Sequence, residues 1–293
     1  MALRLGASYE KLFLFLFLLL ISYSILPINV FSNGKHYRKI KDIVPQQLIN
    51  DGSFPPPSDP PDGKLEKYAV CIGVTEYAGS SLSFSDDDAL SWRDYLEEHG
   101  YEVIYLIGYV TSYDVDMTLR TLLSKEDGDD WVAIIYAGHG YYDVDSGVSA
   151  IVLSDNVCLT EEYFDDFDDS LDSDHVFYFF DACYMGGMRI LGDKTTRYVA
   201  LASDEYHLAY EDPELGHGVF THYFLIDGII RRGYVYMEDA FNNAFYWCTT
   251  SQWSMYPVEA DGNPSTYFTL YEISGGEHGY PEIDALAFGE LND

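Results

Sequence analysis

The sequence predicts an α/β protein with a mostly parallel sheet flanked by helices. Three observations carry that expectation. Apolar runs of strand length alternate with amphipathic stretches at helical spacing. The runs KYAVCIGV, WVAIIYA and HVFYFF are apolar after at most one leading polar residue, as strands covered on both faces are, rather than at every second position. The composition, 47% hydrophobic over 293 residues, suffices for one sizeable core.

The amino end comes first. Leu12 to Ile21 is an unbroken apolar run behind Arg4 and Lys11, followed by Ser22, Ser24, Pro27 and the small-residue site Val30-Phe31-Ser32. Charged start, short apolar stretch and small residues describe a signal peptide or signal anchor over residues 1–32. Export is the favoured reading, giving a secreted or membrane-anchored, extracytoplasmic protein. Lys35, Arg38, Lys39 and Lys41 pull the other way, toward an anchor whose flank faces the cytoplasm. Residues 33–66 read as a Pro-rich linker (SFPPPSDPPDG) poorly suited to packing. The globular domain is 67–273, and 274–293 is an acidic tail.

Within the domain, Lys67 to Val74 is a buried strand. Ser85 then caps the helix SDDDALSWRDYLEEHG, with carboxylates in its first turn and Gly100 as its stop. Strand EVIYLI, helix DVDMTLRTLL and strand WVAIIYA follow. GVSAIVL reads as an edge hairpin strand, and Thr160 caps an acidic helix. HVFYFF and RYVALAS are further strands, GVFTHYFLIDGII and MEDAFNNAFYWC amphipathic helices, and STYFTLY a last strand.

Charge removes several classes of function. Asp and Glu number 49 against 16 Lys and Arg, a formal net charge of −33. Such a field repels phosphate backbones and anionic headgroups, so no nucleic-acid partner is expected; it attracts cations and basic peptides. Solubility or adaptation to salt accounts for the charge equally well. The four cysteines, 71, 158, 183 and 248, include no Cys-x-x-Cys and are too few for a disulfide scaffold.

In parallel sheets the working groups sit just past the carboxyl ends of strands. One such end reads Ala137-Gly138-His139-Gly140, another Asp181-Ala182-Cys183-Tyr184-Met185-Gly186-Gly187. A thiol and an imidazole brought together make a nucleophile and its base. Gly140 leaves its N–H unobstructed, so the N–H groups of Gly140 and Cys183 could stabilise an oxyanion, worth roughly 10²–10³ in rate per donor. A lone strand-end Cys is structural more often than catalytic; the matched pair, each with glycines, reverses that. Gly216-His217-Gly218 precedes a helix and reads as a turn. Cys71 lies mid-strand as a small core residue.

IIYAGHG followed by FFDAC resembles the caspase-like cysteine peptidases, the superfamily of caspases, metacaspases, paracaspases, legumain and gingipains. The likeness runs from Lys67 to Tyr271 and includes YAVCIGV, DDDAL, GYEVIYL and ASDEYHLAYEDPELGHGVFTHYFLIDGI. It implies a caspase-like three-layer sandwich and a cysteine-type endopeptidase with His139 as base, Cys183 as nucleophile, and Gly140 and Cys183 as oxyanion donors. No third triad member is obvious. The arginine of true caspases before the first helix and their Gln-Ala-Cys are missing. Metacaspases instead use aspartates to line a pocket for Arg or Lys, and the matching positions here are Asp88 and Asp181. The physics agrees, since carboxylates in a partly dry pocket bind guanidinium and reject a substrate carboxylate. The helix dipole explains Asp86 to Asp88 nearly as well. Peptide or protein substrates with a basic residue before the scissile bond are therefore expected.

Relatives are often activated by a cut in the connection after the cysteine strand. Arg189, Lys194 and Arg197 offer such a self-processing site, although a surface loop needs no special reason to be basic. No cofactor is required and no metal site is expected. Metacaspases are often activated by Ca²⁺, and the stretch 160–174 is acidic, but it lacks D-x-D-x-D-G spacing and reads better as a solvated helix face. G-x-S-x-G and HExxH are absent, and Asp193 spoils a near miss to a phosphate-binding loop over 187–195. The alternative from another class is a catalytically idle, caspase-like interaction or scaffold protein.

Overall fold

A computed structural model describes residues 45–273. The signal segment, the amino-terminal part of the 33–66 stretch and the acidic tail lie outside the described residues. Among the described residues, no helix is long and apolar enough to cross a membrane.

The chain runs β1 (Gln47–Ile49), β2 (Lys67–Val74), α1 (Ser85–Glu98), β3 (Glu102–Gly108), α2 (Ser112–Leu123), β4 (Trp131–Ala137), β5 (Gly140–Asp143), β6 (Val148–Val152), β7 (Val157–Thr160) and α3 (Glu161–Asp168). It continues through β8 (His175–Asp181), a 3-10 helix (Gly186–Gly192), β9 (Arg197–Leu201), β10 (Glu211–Asp212) and β11 (His217–Gly218). A turn, Val219–Thr221, then enters α4, a π-helical stretch (His222–Arg231), before α5 (Met237–Thr250) and β12 (Val258–Asp261).

The main sheet has the order β12-β9-β8-β4-β2-β3, parallel except for β12. Alternate side chains of each strand go to opposite faces. Ala69, Cys71, Ala133, Ile135, Phe177 and Phe179 pack under α1, α4 and α5, around the fully buried Trp92. Val70, Ile72, Ile134, Tyr136, Tyr178 and Phe180 pack under α2, α3 and the 3-10 helix. Two covered faces explain the continuously apolar strands and give the three-layer sandwich that the sequence predicts. The order of strands reverses between β2 and β4, which opens a crevice at their carboxyl ends.

Four local expectations need correction. Ser85 is the first helical residue and not the cap; the N-cap is Phe84, which has no side chain to offer the helix. GVSAIVL is no edge: β6 sits between β5 and β7 in a second, four-stranded sheet. STYFTLY forms no strand, and the last strand is β12, paired antiparallel to β9. The stretch 33–66 is not idle where it is described. β1 adds to β7 in parallel, Phe54 stacks edge-on against Tyr163 and Phe167, and Asp172 accepts the N–H groups of Ser58 and Asp59. Its prolines suit this extended course, which needs few ladder hydrogen bonds of its own.

Candidate active site

β4 and β8 are neighbours, with Ala137 opposite Asp181, so their carboxyl ends deliver His139 and Cys183 to one edge of the sheet. Both residues line a single cavity, together with Asp88, Asp181, Gly138, Glu211 and Gly218 and the apolar Leu82, Phe84 and Pro213. The strand ends therefore bring His139, Asp181 and Cys183 together, Gly140 meets the Cys183 backbone, and Asp88 comes from the first turn of α1. A Cβ on Gly140 would overlap the Cys183 carbonyl, so only glycine allows the two backbones to meet. Tyr184, next to the thiol, takes the left-handed backbone conformation (φ 62°) that completes the turn off β8.

His139 is 2% exposed and held on two sides by the loop after β2. Its Nε2 lies 2.7 Å from the Ser80 carbonyl, its backbone N–H donates to the Tyr77 hydroxyl at 2.9 Å, and the Tyr77 ring packs on the imidazole at 4.5 Å. A carbonyl can only accept, so Nε2 carries the hydrogen. Ser80 thus orients the imidazole as a third triad member would. Its role belongs to a main-chain oxygen, which no sequence motif displays.

Cys183 is 5% exposed. Its Sγ donates to the Ala209 carbonyl at 3.4 Å and accepts from the Ala209 N–H at 3.2 Å. Burial pushes the thiol up to about 12, so the ligand-free site holds a thiol and not a thiolate. Cys71, Cys158 and Cys248 are also buried free thiols.

The two aspartates meet as expected, but each already has partners. Asp88 Oδ1 is 2.9 Å from His217 Nδ1, and both Asp88 oxygens accept from the Gly218 N–H. Asp181 Oδ2 accepts from the Thr221 N–H and hydroxyl at 2.9 and 2.8 Å. Gly218 lies between them: a Cβ there would overlap Asp181 Oδ2 and come within 2.8 Å of Asp88 Oδ2. Burial first, and the neighbouring Asp88 charge second, push Asp181 up to about 7. Burial pushes Asp88 up to about 6 against the opposing His217 and Gly218 bonds. His217, read from the sequence as a turn residue, and Glu211 both belong to the site. Their partners lie about 130 residues away in the chain, beyond the reach of local pattern.

Two other expectations fare differently. Arg197 is 4% exposed at the start of β9, with Nε 2.8 Å from Asp168 Oδ1 and Nη1 on the Ser173 carbonyl. It is a buried structural cation and no cleavage point in a surface loop. Arg189 is exposed and paired with Glu205, and the half-buried Lys194 bridges Asp168 and Asp169. In the acidic stretch 160–174, Asp166 and Asp172 hold backbone of the 45–66 segment. Among the described residues, the carboxylates that converge are those of Asp62, Asp127 and Asp129, with ligand oxygens within 4.8 Å of one another. They sit before β4, at the amino ends of the strands and away from the cavity.

An α/β sandwich with a cysteine and a histidine on adjacent strand ends defines a class, that of the caspase-like hydrolases. Residues 66–261 match the caspase domain, and the chain belongs to that family of cysteine peptidases, which act on protein substrates. No curated protein matches the chain. Among solved structures, protein GSU0716 from Geobacter sulfurreducens is similar with a TM-score of 0.53 at 13% identity, over 69% of this chain and 99% of that one. Caspase-1 from Spodoptera frugiperda is similar with a TM-score of 0.52 at 9% identity, over 73% of this chain and 92% of that one. At such identities the likeness is one of fold.

Proposed function

We propose that the protein is a cysteine endopeptidase that cleaves after Arg or Lys, with Cys183 as nucleophile and His139 as base. The observation that carries this reading is the shared cavity in which thiol, imidazole and two carboxylates meet. A substrate backbone first displaces Ala209 from the sulfur. Nδ1 of His139 then takes the thiol proton while Sγ bonds to the scissile carbonyl carbon. The N–H groups of Gly140 and Cys183 receive the oxyanion. As the C–N bond breaks, the imidazolium returns its proton to the leaving amine, and water, deprotonated by the same Nδ1, cleaves the thioester. Asp88 and Asp181 attract a guanidinium or ammonium, and Leu82, Phe84 and Pro213 suit its aliphatic stem.

Peptides that differ only in the residue before the scissile bond test this. Wild type is expected to cleave after Arg and Lys, and Cys183→Ala and His139→Ala to lose the activity by on the order of 10³-fold or more. A preference for Asp, or equal activity of wild type and Cys183→Ala, overturns the reading; the second outcome favours an idle scaffold. The same specificity would permit self-processing after Arg189 or Lys194. Identical gel patterns of wild type and Cys183→Ala exclude it. Calcium activation is a separate proposal resting on the resemblance to metacaspases. Titration of activity with Ca²⁺ and chelator decides it.

A further inference from the structure

Resting on the peptidase reading above, we propose that Glu211 is a positioning residue for the catalytic base. It clamps the loop 75–84 that holds His139. Three observations converge on it. First, this loop supplies the Ser80 carbonyl on the imidazole Nε2 and the Tyr77 hydroxyl and ring beside it. Second, the loop is anchored at its start, where the Thr75 and Glu76 N–H groups donate to the Gly108 carbonyl and Tyr77 packs on the core, and more sparsely after Tyr77. It leaves β2 at Val74, is closed across its base by the Leu82 N–H on the Thr75 carbonyl at 2.9 Å, and ends at Phe84, a helix N-cap without a capping side chain. Third, the N–H groups just before the helix are bound from β10. Glu211 Oε1 accepts the Phe84 N–H at 2.8 Å, Oε2 accepts the Ser83 N–H at 2.9 Å, and the Ser85 hydroxyl reaches Oε1 at 3.4 Å.

An ionised carboxylate suits that place, because the first N–H groups of a helix are unsatisfied and carry partial positive charge. Charge-assisted bonds of this kind are about twice as strong as neutral ones. The geometry also links the two halves of the site. Glu211 lies two residues after Ala209, which holds the Cys183 sulfur, and its hairpin partner Gly218 holds Asp88. One carboxylate therefore fixes the histidine loop relative to the strand that holds the thiol. The β4–β8 pairing sets where the two residues stand, and the clamp fixes the loop that orients the ring. A displacement of about 1 Å in such a pair lowers the rate by on the order of 10²-fold.

The test is Glu211→Ala beside Glu211→Gln, in the full chain. Gln keeps one acceptor of similar reach, so it should rescue part of what Ala loses. For Glu211→Ala, kcat on an Arg peptide should fall by on the order of 10²-fold; KM should also rise, because Glu211 lines the cavity and its hairpin partner holds Asp88, but by less than kcat falls. A second readout does not need turnover. The imidazole ¹⁵N shifts of His139, assigned with His139→Asn, should report a single Nε2–H tautomer in wild type and tautomer averaging in Glu211→Ala. Unchanged shifts and kcat overturn the proposal, as does a loss that falls wholly in KM. If wild type cleaves nothing, the peptidase reading fails, and the ¹⁵N shifts still decide whether Glu211 positions the ring. If Glu211→Ala does not fold, Glu211→Gln alone should show the same shifts in smaller measure.

Discussion

Two carboxylates buried side by side make the pocket both attractive to a cation and expensive to the fold. Asp181 is pushed up to about 7 and Asp88 up to about 6, above the value either has in an unfolded chain. Groups raised on folding favour the folded state while they are protonated, and that contribution is lost as pH rises through the folded values. Above about pH 7 the pair is ionised, which destabilises the fold and, on the proposed specificity, prepares the site for guanidinium. Asp181→Asn should therefore melt higher than wild type near pH 8, with the gap closing near pH 4, where both forms are neutral. It should lose selection for Arg at the same time. Thermal scans across that range check the sign, and a variant less stable than wild type near pH 8 refutes it. Cys183 leads to a second expectation at this scale. Its thiol, up to about 12 and bonded to Ala209, should resist iodoacetamide at neutral pH, while a halomethylketone on an Arg peptide should label it by displacing Ala209. Mass spectrometry of both reactions distinguishes a sequestered nucleophile from an inert core thiol, which neither reagent would reach.

Among the elements, those whose reasons are local were the ones visible in the sequence. β4 is apolar from end to end and β8 from Val176 to Phe180, as helices cover both faces. The His139 and Cys183 placement followed from these strands. What stayed hidden depends on distant partners. Phe84 needs Glu211, β1 has only three residues and finds its reason in β7, and Ser80 acts through its backbone. Arg197 looked like part of a basic surface loop because its counter-ion, Asp168, lies in α3, 29 residues earlier in the chain. β1 and its neighbours carry their own prediction. Phe54 packs on Tyr163 and Phe167 with the Arg120 guanidinium 4.7 Å above its ring, and Arg120 Nη2 donates to the Gly52 carbonyl. Phe54→Ala should lower stability by roughly 1–3 kcal/mol in urea titration, the range for a partly buried aromatic. No change would show that the segment lies on the domain without stabilising it.

For the molecule as a whole, the charge of −33 acts in opposite directions on the fold and on the substrate. Carboxylates crowd one another on a compact surface, and that repulsion is relieved when the chain expands, so it destabilises the folded state. On the proposed specificity, the same field would draw basic peptides toward the cavity lined by Asp88 and Asp181. Salt screens both effects, with a Debye length near 30 Å at about 0.01 M and near 8 Å at about 0.15 M. Raising sodium chloride between those concentrations should increase the melting temperature and lower kcat/KM for Arg- and Lys-rich peptides, leaving kcat nearly unchanged because the buried dyad lies inside the screening cloud. The two responses separate the roles of the charge. A rise in melting temperature with constant kcat/KM would mean that the acidic surface serves solubility alone, and that discrimination for basic substrates rests on the two buried aspartates. A fall in kcat/KM that vanishes for a peptide with one isolated Arg would place the steering on the outer surface, away from the pocket.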